Sequence, residues 1–95
     1  MGRDKIFNEV AEIVARVTGV SAKDLMRCNR EECTDARWLL YKAMAKMGFG
    51  HTEMASMSGH SRQAVGSLMR NERTKWIVQR NWKEICKELE SNYLK

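Results

Sequence analysis

Basic side chains gather in one segment of the sequence, residues 58–83, where acidic residues are almost absent. The bases of this segment are Arg62, Arg70, Arg73, Lys75, Arg80 and Lys83. Its one acid is Glu72, so the segment carries the whole formal charge of +5 that the chain has at pH 7. Solvated helix faces usually alternate in charge sign, and this segment does not. Such an excess is typical of surfaces that bind nucleic acid, an anionic membrane or an acidic partner.

The spacing of a helix-turn-helix overlaps this basic segment. Ala55, Gly59 and Val65 stand at offsets 0, +4 and +10. The motif requires a small residue where its two helices cross, a turn residue that tolerates positive φ, and a branched apolar residue that fixes the second helix. We therefore predict a helix-turn-helix over residues 52–72, with its turn at Gly59.

The second helix of this motif is expected to present a polar face to its ligand. Its predicted inward positions are Ala64, Val65, Leu68 and Met69. The positions left outside are Ser61, Arg62, Gln63, Gly66, Ser67 and Arg70. Because arginine can bond guanine and glutamine can bond adenine in the major groove, Arg62 and Gln63 are the predicted base contacts. Ser61 and Ser67 are predicted to reach phosphate, and Arg70 either phosphate or base.

Further candidate contacts to double-stranded DNA lie outside this face. Arg73 and Lys75 directly follow the second helix and are predicted to bind phosphate. Arg37 and Lys46 are additional candidates for phosphate contacts. His60, in the turn, is predicted to contact phosphate or solvent.

Apolar residues recur at helical spacing along most of the chain, which has 95 residues and no proline. The predicted helices cover residues 4–18, 22–27, 35–47, 52–57, 62–72 and 75–92. Residues 28–33 are polar and aperiodic and are predicted to form a loop, with Thr34 capping the helix that follows. Ser21 and Ser61 are predicted to cap the second and fifth helices. The chain is therefore expected to form one all-α domain, residues 1–95, without a membrane span.

The cysteines and histidines do not predict a metal site or catalysis. Cys28 and Cys33, together with His51 and His60, match no usual zinc-finger spacing, so neither a metal nor another cofactor is expected. An enzyme would need a nucleophile with a base, or paired carboxylates in a cleft, and a helical domain this small leaves little room for one. Three cysteines without secretion signals indicate reduced thiols in the cytoplasm.

The order of these features resembles the C-terminal DNA-binding domain of the bacterial replication initiator DnaA, a helical domain of Trp-repressor-like fold. The similar segments are Thr-Gly-Val-Ser at 18–21, Lys-Asp-Leu at 23–25, Ala-Arg at 36–37 and Ala-Met-Ala-Lys at 43–46. The family signature, Gly-Gly-Arg-Asp-His-Ser/Thr-Thr-Val, corresponds to Ser-Gly-His-Ser-Arg-Gln-Ala-Val at 58–65. Gly59 and Val65 match it, while the base-reading positions differ. The resemblance therefore implies DNA binding at a sequence different from the initiator's.

The resemblance implies two further contacts and a cellular role. The family inserts a loop arginine into the minor groove, and Arg30 stands at its position, beside the acidic Glu31 and Glu32. Arg37 resembles a helix-start arginine that touches phosphate. The initiator's phosphate-binding loop, Gly-x-x-x-x-Gly-Lys-Ser/Thr, does not occur in the sequence. A stand-alone regulator, or an accessory factor of replication or of a mobile element, is therefore expected.

A second class of function stays open, a protein-interaction module on a helix-turn-helix scaffold that no longer binds DNA. The altered base readers and the acidic pair Glu31 and Glu32 favour it. An exposed apolar patch near Trp76 and Trp82 would support it and would also suit a homodimer. RNA binding has less support, because no exposed aromatic pair suited to base stacking is evident.

Overall fold

Six helices account for most of the chain that the computed structural model describes, residues 3–93. They are α1 (Arg3–Thr18), α2 (Ala22–Arg27), α3 (Glu31–Lys46), α4 (His51–Ser58), α5 (Arg62–Arg70) and α6 (Trp76–Asn92). The all-α class predicted from apolar spacing is confirmed. Every predicted helix is present, and all except α3 begin within one residue of the predicted position.

Helix α3 lies at the centre and packs against each of the other five helices. Its buried side chains include Trp38, Leu39, Leu40, Tyr41 and Met44. The apolar stripes of α1 and α6 meet this helix, as their helical spacing predicts. The ammonium of Lys42 lies 5.0 Å from the ring centroid of Trp38 and 5.3 Å from that of Trp82, which adds cation–π contacts between α3 and α6.

The start of α3 corrects the sequence prediction of a loop over 28–33 capped by Thr34. The helix begins at Glu31, and the residue before it, Arg30, is extended, with φ −66° and ψ 157°. The Thr34 hydroxyl donates to the Arg30 carbonyl instead of capping a later start. Carboxylates in a first turn are favoured by the positive end of the helix, so the polar run at Glu31 and Glu32 extends the helix. This earlier start brings Cys33 into the core.

The connection between α5 and α6 is held against α3 by charge. Lys75 Nζ lies 2.8 Å from Asp35 Oδ2, and the same ammonium also pairs with the carboxylate of Glu31. Arg73 Nε lies 3.4 Å from Asp35 Oδ1. The first turn of α3 therefore fixes the chain that directly follows α5.

Candidate nucleic-acid interface

The turn between α4 and α5 has the geometry that the sequence spacing requires. Gly59 lies in the left-handed region, with φ 81° and ψ 1°, and its N–H donates to the carbonyl of Ala55 at 3.0 Å. A Cβ added at Gly59 would meet no atom within 4 Å, so this position needs glycine for its backbone angle rather than for space. Ser61 Oγ accepts from the N–H of Ala64 at 3.0 Å and caps α5, as predicted.

The inward face of α5 differs from the predicted one at two positions. Val65 is fully buried against the core, and Leu68 and Met69 are half-buried, in agreement with the prediction. Ala64, predicted to face inward, is exposed, while Gly66, predicted to be exposed, is buried. A Cβ at Gly66 would lie 3.6 Å from both Arg70 Nη1 and His51 Nδ1. The side chains of Arg70 and His51 therefore cover Gly66 on the outer surface of α5. Helical periodicity alone does not predict this burial.

A cleft of about 470 Å³ lies over the outward face of α5. Its lining residues are His51, Arg62, Gln63, Gly66, Ser67 and Arg70. Both predicted base contacts, Arg62 and Gln63, thus lie beside Ser67, which was predicted to reach phosphate, and Arg70, which was predicted to reach phosphate or base. His51, the first residue of α4, was not among the predicted contacts. Its place against Gly66 depends on how α4 crosses α5, which residue spacing alone does not specify.

The two arginines of this cleft are the unpaired cations of α5. Within residues 3–93, no carboxylate forms an ion pair with Arg62 or Arg70, and both side chains are exposed. The side chains of Gln63 and Ser67 are likewise exposed. Donors and acceptors on this face are therefore free to bind an anionic, hydrogen-bonding ligand.

His60 connects the turn to the core. Its Nε2 lies 3.2 Å from the carbonyl of Met26, and its Nδ1 lies 2.7 Å from the hydroxyl of Tyr41. Because a carbonyl only accepts, Nε2 donates to Met26, and in the neutral ring Nδ1 accepts from Tyr41. Burial raises the pKa of Tyr41, so its hydroxyl stays protonated and able to donate near neutral pH. His60 thus fixes the turn against α2 and α3.

Arg30 and Arg37 bind within the connection between α2 and α3. Arg37 donates from Nε to the carbonyl of Leu25 at 2.7 Å and from Nη2 to that of Cys28 at 2.8 Å. Arg30 Nε lies 3.1 Å from the sulfur of Cys28. Neither arginine lines the cleft that contains Arg62 and Arg70. Arg37 lines a second cleft beside α5, together with His60, Ser67 and Arg73.

The cations after α5 are also engaged. The carboxylates of Asp35 and Glu31 raise the pKa of Lys75, and Lys75 in turn lowers the pKa of Glu31. Arg73 shares Asp35 with Lys75. Lys46, at the last turn of α3, is exposed, lies near Cys86 of α6 and does not line the cleft. Of the eleven predicted contacts, the structure gathers Arg62, Gln63, Ser67 and Arg70 at the cleft, next to the cap Ser61.

Comparison of the chain with protein-family models, curated proteins and solved structures finds no match. Within residues 3–93, no group of three or more His, Cys, Asp or Glu side chains is placed to hold a metal ion. No helix in that part of the chain is long and apolar enough to cross a bilayer. Function is therefore inferred from the geometry and charge of these residues.

Proposed function

We propose that this chain binds double-stranded DNA sequence-specifically, with α5 as the recognition helix in the major groove. The observation that carries the proposal is the outward face of α5. One open cleft there is lined by two arginines, a glutamine and a serine. Both arginines are exposed and have no ion pair within residues 3–93. A helix that packs with an apolar inner side and offers arginine and glutamine outward matches the chemistry of base recognition.

The arrangement of α4, its turn and α5 supports classification as a helix-turn-helix. Gly59, in the left-handed region, suits the turn of the motif. The half-buried Ala55 suits the point where the helices cross, and the fully buried Val65 suits the core anchor. The proposal extends to a Trp-repressor-like fold and to a stand-alone relative of the initiator's DNA-binding domain. Such a protein would act as a regulator, or as an accessory factor of replication or of a mobile element.

The residues of the cleft divide into two proposed roles. Arg62 and Gln63, in the first turn of α5, contact base edges. Arg70, Ser67 and His51 contact the phosphates that flank the groove. The remaining predicted contacts support DNA binding indirectly, because each already has an ion pair or hydrogen bond within the protein. They are Arg30, Arg37, His60, Arg73 and Lys75.

Fluorescence anisotropy with random-sequence duplex DNA at several salt concentrations tests the proposal. Affinity should fall steeply with salt, because phosphate contacts release counterions. Selection from a random pool would then identify the operator. Arg62→Ala should cost roughly 1–3 kcal/mol at that operator and relax specificity at one base pair. Equal weakening on all sequences would make Arg62 a phosphate contact, and no binding even near about 50 mM salt would exclude the DNA proposal.

One observation favours the interaction module as a second candidate. Trp76 is 70% exposed and Ile77 is 41% exposed at the start of α6, although large apolar side chains are usually covered. If DNA binding fails, these two residues mark the surface to test. Trp76→Ala would then abolish capture of a protein partner while leaving the folded domain unchanged by circular dichroism.

A further inference from the structure

Two cysteine sulfurs and one arginine meet where α2 ends and α3 begins. Cys28 directly follows α2, Cys33 lies in the first turn of α3, and Arg30 precedes that helix. Arg30 donates to the Cys28 sulfur from its backbone N–H at 3.5 Å and from Nε at 3.1 Å. Its Nη2 lies 4.0 Å from the Cys33 sulfur. One guanidinium therefore faces both thiols.

The surrounding backbone holds this pair in place. The Cys28 carbonyl accepts from Arg37 Nη2 at 2.8 Å, and the Arg30 carbonyl accepts from the Thr34 hydroxyl at 3.1 Å. Cys28 is half-buried and open to small reagents, whereas Cys33 is fully buried behind it. The pair thus combines an accessible sulfur with a protected one.

The pKa values of the two thiols are shifted in opposite directions. The Cys33 thiol, then the backbone and side chain of Arg30, lower the pKa of Cys28. The Cys28 sulfur, followed by burial, raises the pKa of Cys33. Cys28 is therefore the member that ionises first, and the thiolate is the nucleophilic form of cysteine.

We propose that Cys28 and Cys33 form a peroxide-reactive dithiol, in which Cys28 attacks the oxidant and Cys33 resolves the product as an intramolecular disulfide. In the first step, the Cys28 thiolate attacks one oxygen of hydrogen peroxide. The O–O bond breaks, Cys28 becomes a sulfenic acid, and the leaving hydroxide takes a proton to form water. In the second step, the Cys33 sulfur attacks the Cys28 sulfur, the S–O bond breaks, and a second water leaves with the Cys33 proton. Two thiols are oxidised and one peroxide is reduced to two waters.

Cys86 provides an internal control for this chemistry. It is half-buried on α6, as Cys28 is after α2, but it has no guanidinium hydrogen-bonded to its sulfur within residues 3–93. Burial raises the pKa of Cys86. Exposure alone would therefore give Cys28 and Cys86 similar reaction rates, whereas the proposed site makes Cys28 faster.

The test treats the reduced, full-length protein with one equivalent of hydrogen peroxide and maps the products by mass spectrometry. Trypsin cleaves after Arg30, so a Cys28–Cys33 disulfide joins two separate peptides and is identified directly. We expect this linked pair, with Cys86 still free. Cys33→Ala should instead accumulate a Cys28 sulfenic acid that dimedone traps, because the resolving thiol is missing.

Arg30→Gln tests the contribution of the guanidinium to the site. It should slow Cys28 oxidation at least about threefold, because less thiolate is present. Lys23→Gln is the matched control, since it removes one exposed positive charge from α2 without touching either sulfur. Three outcomes would each overturn the proposal. Cys28 could be oxidised no faster than Cys86, the disulfide could form only between two molecules, or Cys28 could be oxidised at equal rates in Arg30→Gln and Lys23→Gln.

Discussion

If the chain binds DNA as proposed, the salt dependence of that binding will distinguish the cations that the structure leaves unpaired from those that it neutralises. Residue spacing predicts phosphate contacts from Arg70, Arg73 and Lys75 alike. At about 0.9 per phosphate, three contacts would contribute about −2.7 to the slope of log K against log salt. In the structure, Asp35 binds both Arg73 and Lys75, whereas Arg70 has no ion pair within residues 3–93. We therefore expect these three residues together to contribute about −0.9 to the slope, all of it from Arg70.

The assay compares Arg70→Ala with Lys75→Ala on one duplex by fluorescence anisotropy, from about 50 to about 200 mM salt. Over this fourfold range, a protein that lacks one phosphate contact loses about 3.5-fold less affinity than the parent. Arg70→Ala should show this difference, and Lys75→Ala should keep the parent slope.

Lys87→Ala is the control for the loss of one positive charge, because Lys87 is exposed and pairs with Glu84 at 3.5 Å. Circular dichroism of each variant at the assay temperature confirms that it is folded. Equal slope changes in Arg70→Ala and Lys75→Ala would mean that the Lys75 ion pairs open on DNA. The division of cations argued from the structure would then be refuted.

Three substitutions test the framework that positions α5. Gly59→Ala should lower the free energy of unfolding by about 1–2 kcal/mol, since a left-handed φ is costly for alanine even in open space; an unchanged urea midpoint would contradict this. Gly66→Ala should raise it by roughly 0.5–1 kcal/mol, because its Cβ would make ordinary contacts at 3.6 Å and alanine favours a helix; a lower melting temperature would show that the cleft floor cannot accept a methyl group. Asp35→Asn should lower the free energy of unfolding by about 2 kcal/mol, because two cations lose their shared carboxylate. The control Glu84→Gln, at an exposed ion pair, should lower it by less than about 0.5 kcal/mol. Similar urea midpoints for the two variants would contradict the role of Asp35.

Local signals in the sequence were sufficient for most of the fold. Ser21 and Ser61 each accept from the backbone N–H three residues later, as a cap must, and both were predicted from residue type alone. Gly59 followed from the turn geometry of the motif. These features depend on neighbours within four residues, which is the range over which sequence patterns act directly.

The failures have a common physical origin in contacts between distant residues. The start of α3 was predicted too late because residues 28–33 read as a polar loop, and the ion pair of Glu31 with Lys75, more than forty residues away, is not visible locally. The burial of Gly66 depends on His51, which arrives from another helix. Similarly, nothing local indicated that Asp35 would bind Arg73. Residue spacing therefore predicted the outward face of α5, whereas the set of residues that line the cleft there depends on tertiary packing.

Under the DNA proposal, the acids of α3 determine how many cations remain free to contact phosphate. The predicted charge excess over 58–83 treats all six bases as available. However, Arg73 and Lys75 share Asp35, and Arg80 and Lys83 lie on α6 and do not line the cleft, so only Arg62 and Arg70 serve it. Because electrostatic affinity grows with the number of phosphates neutralised, one copy of this domain should bind non-specific DNA weakly. Two copies on paired half-sites would double that number without any new contact type. The homodimer that the sequence left open is therefore the arrangement in which this recognition face would give tight binding.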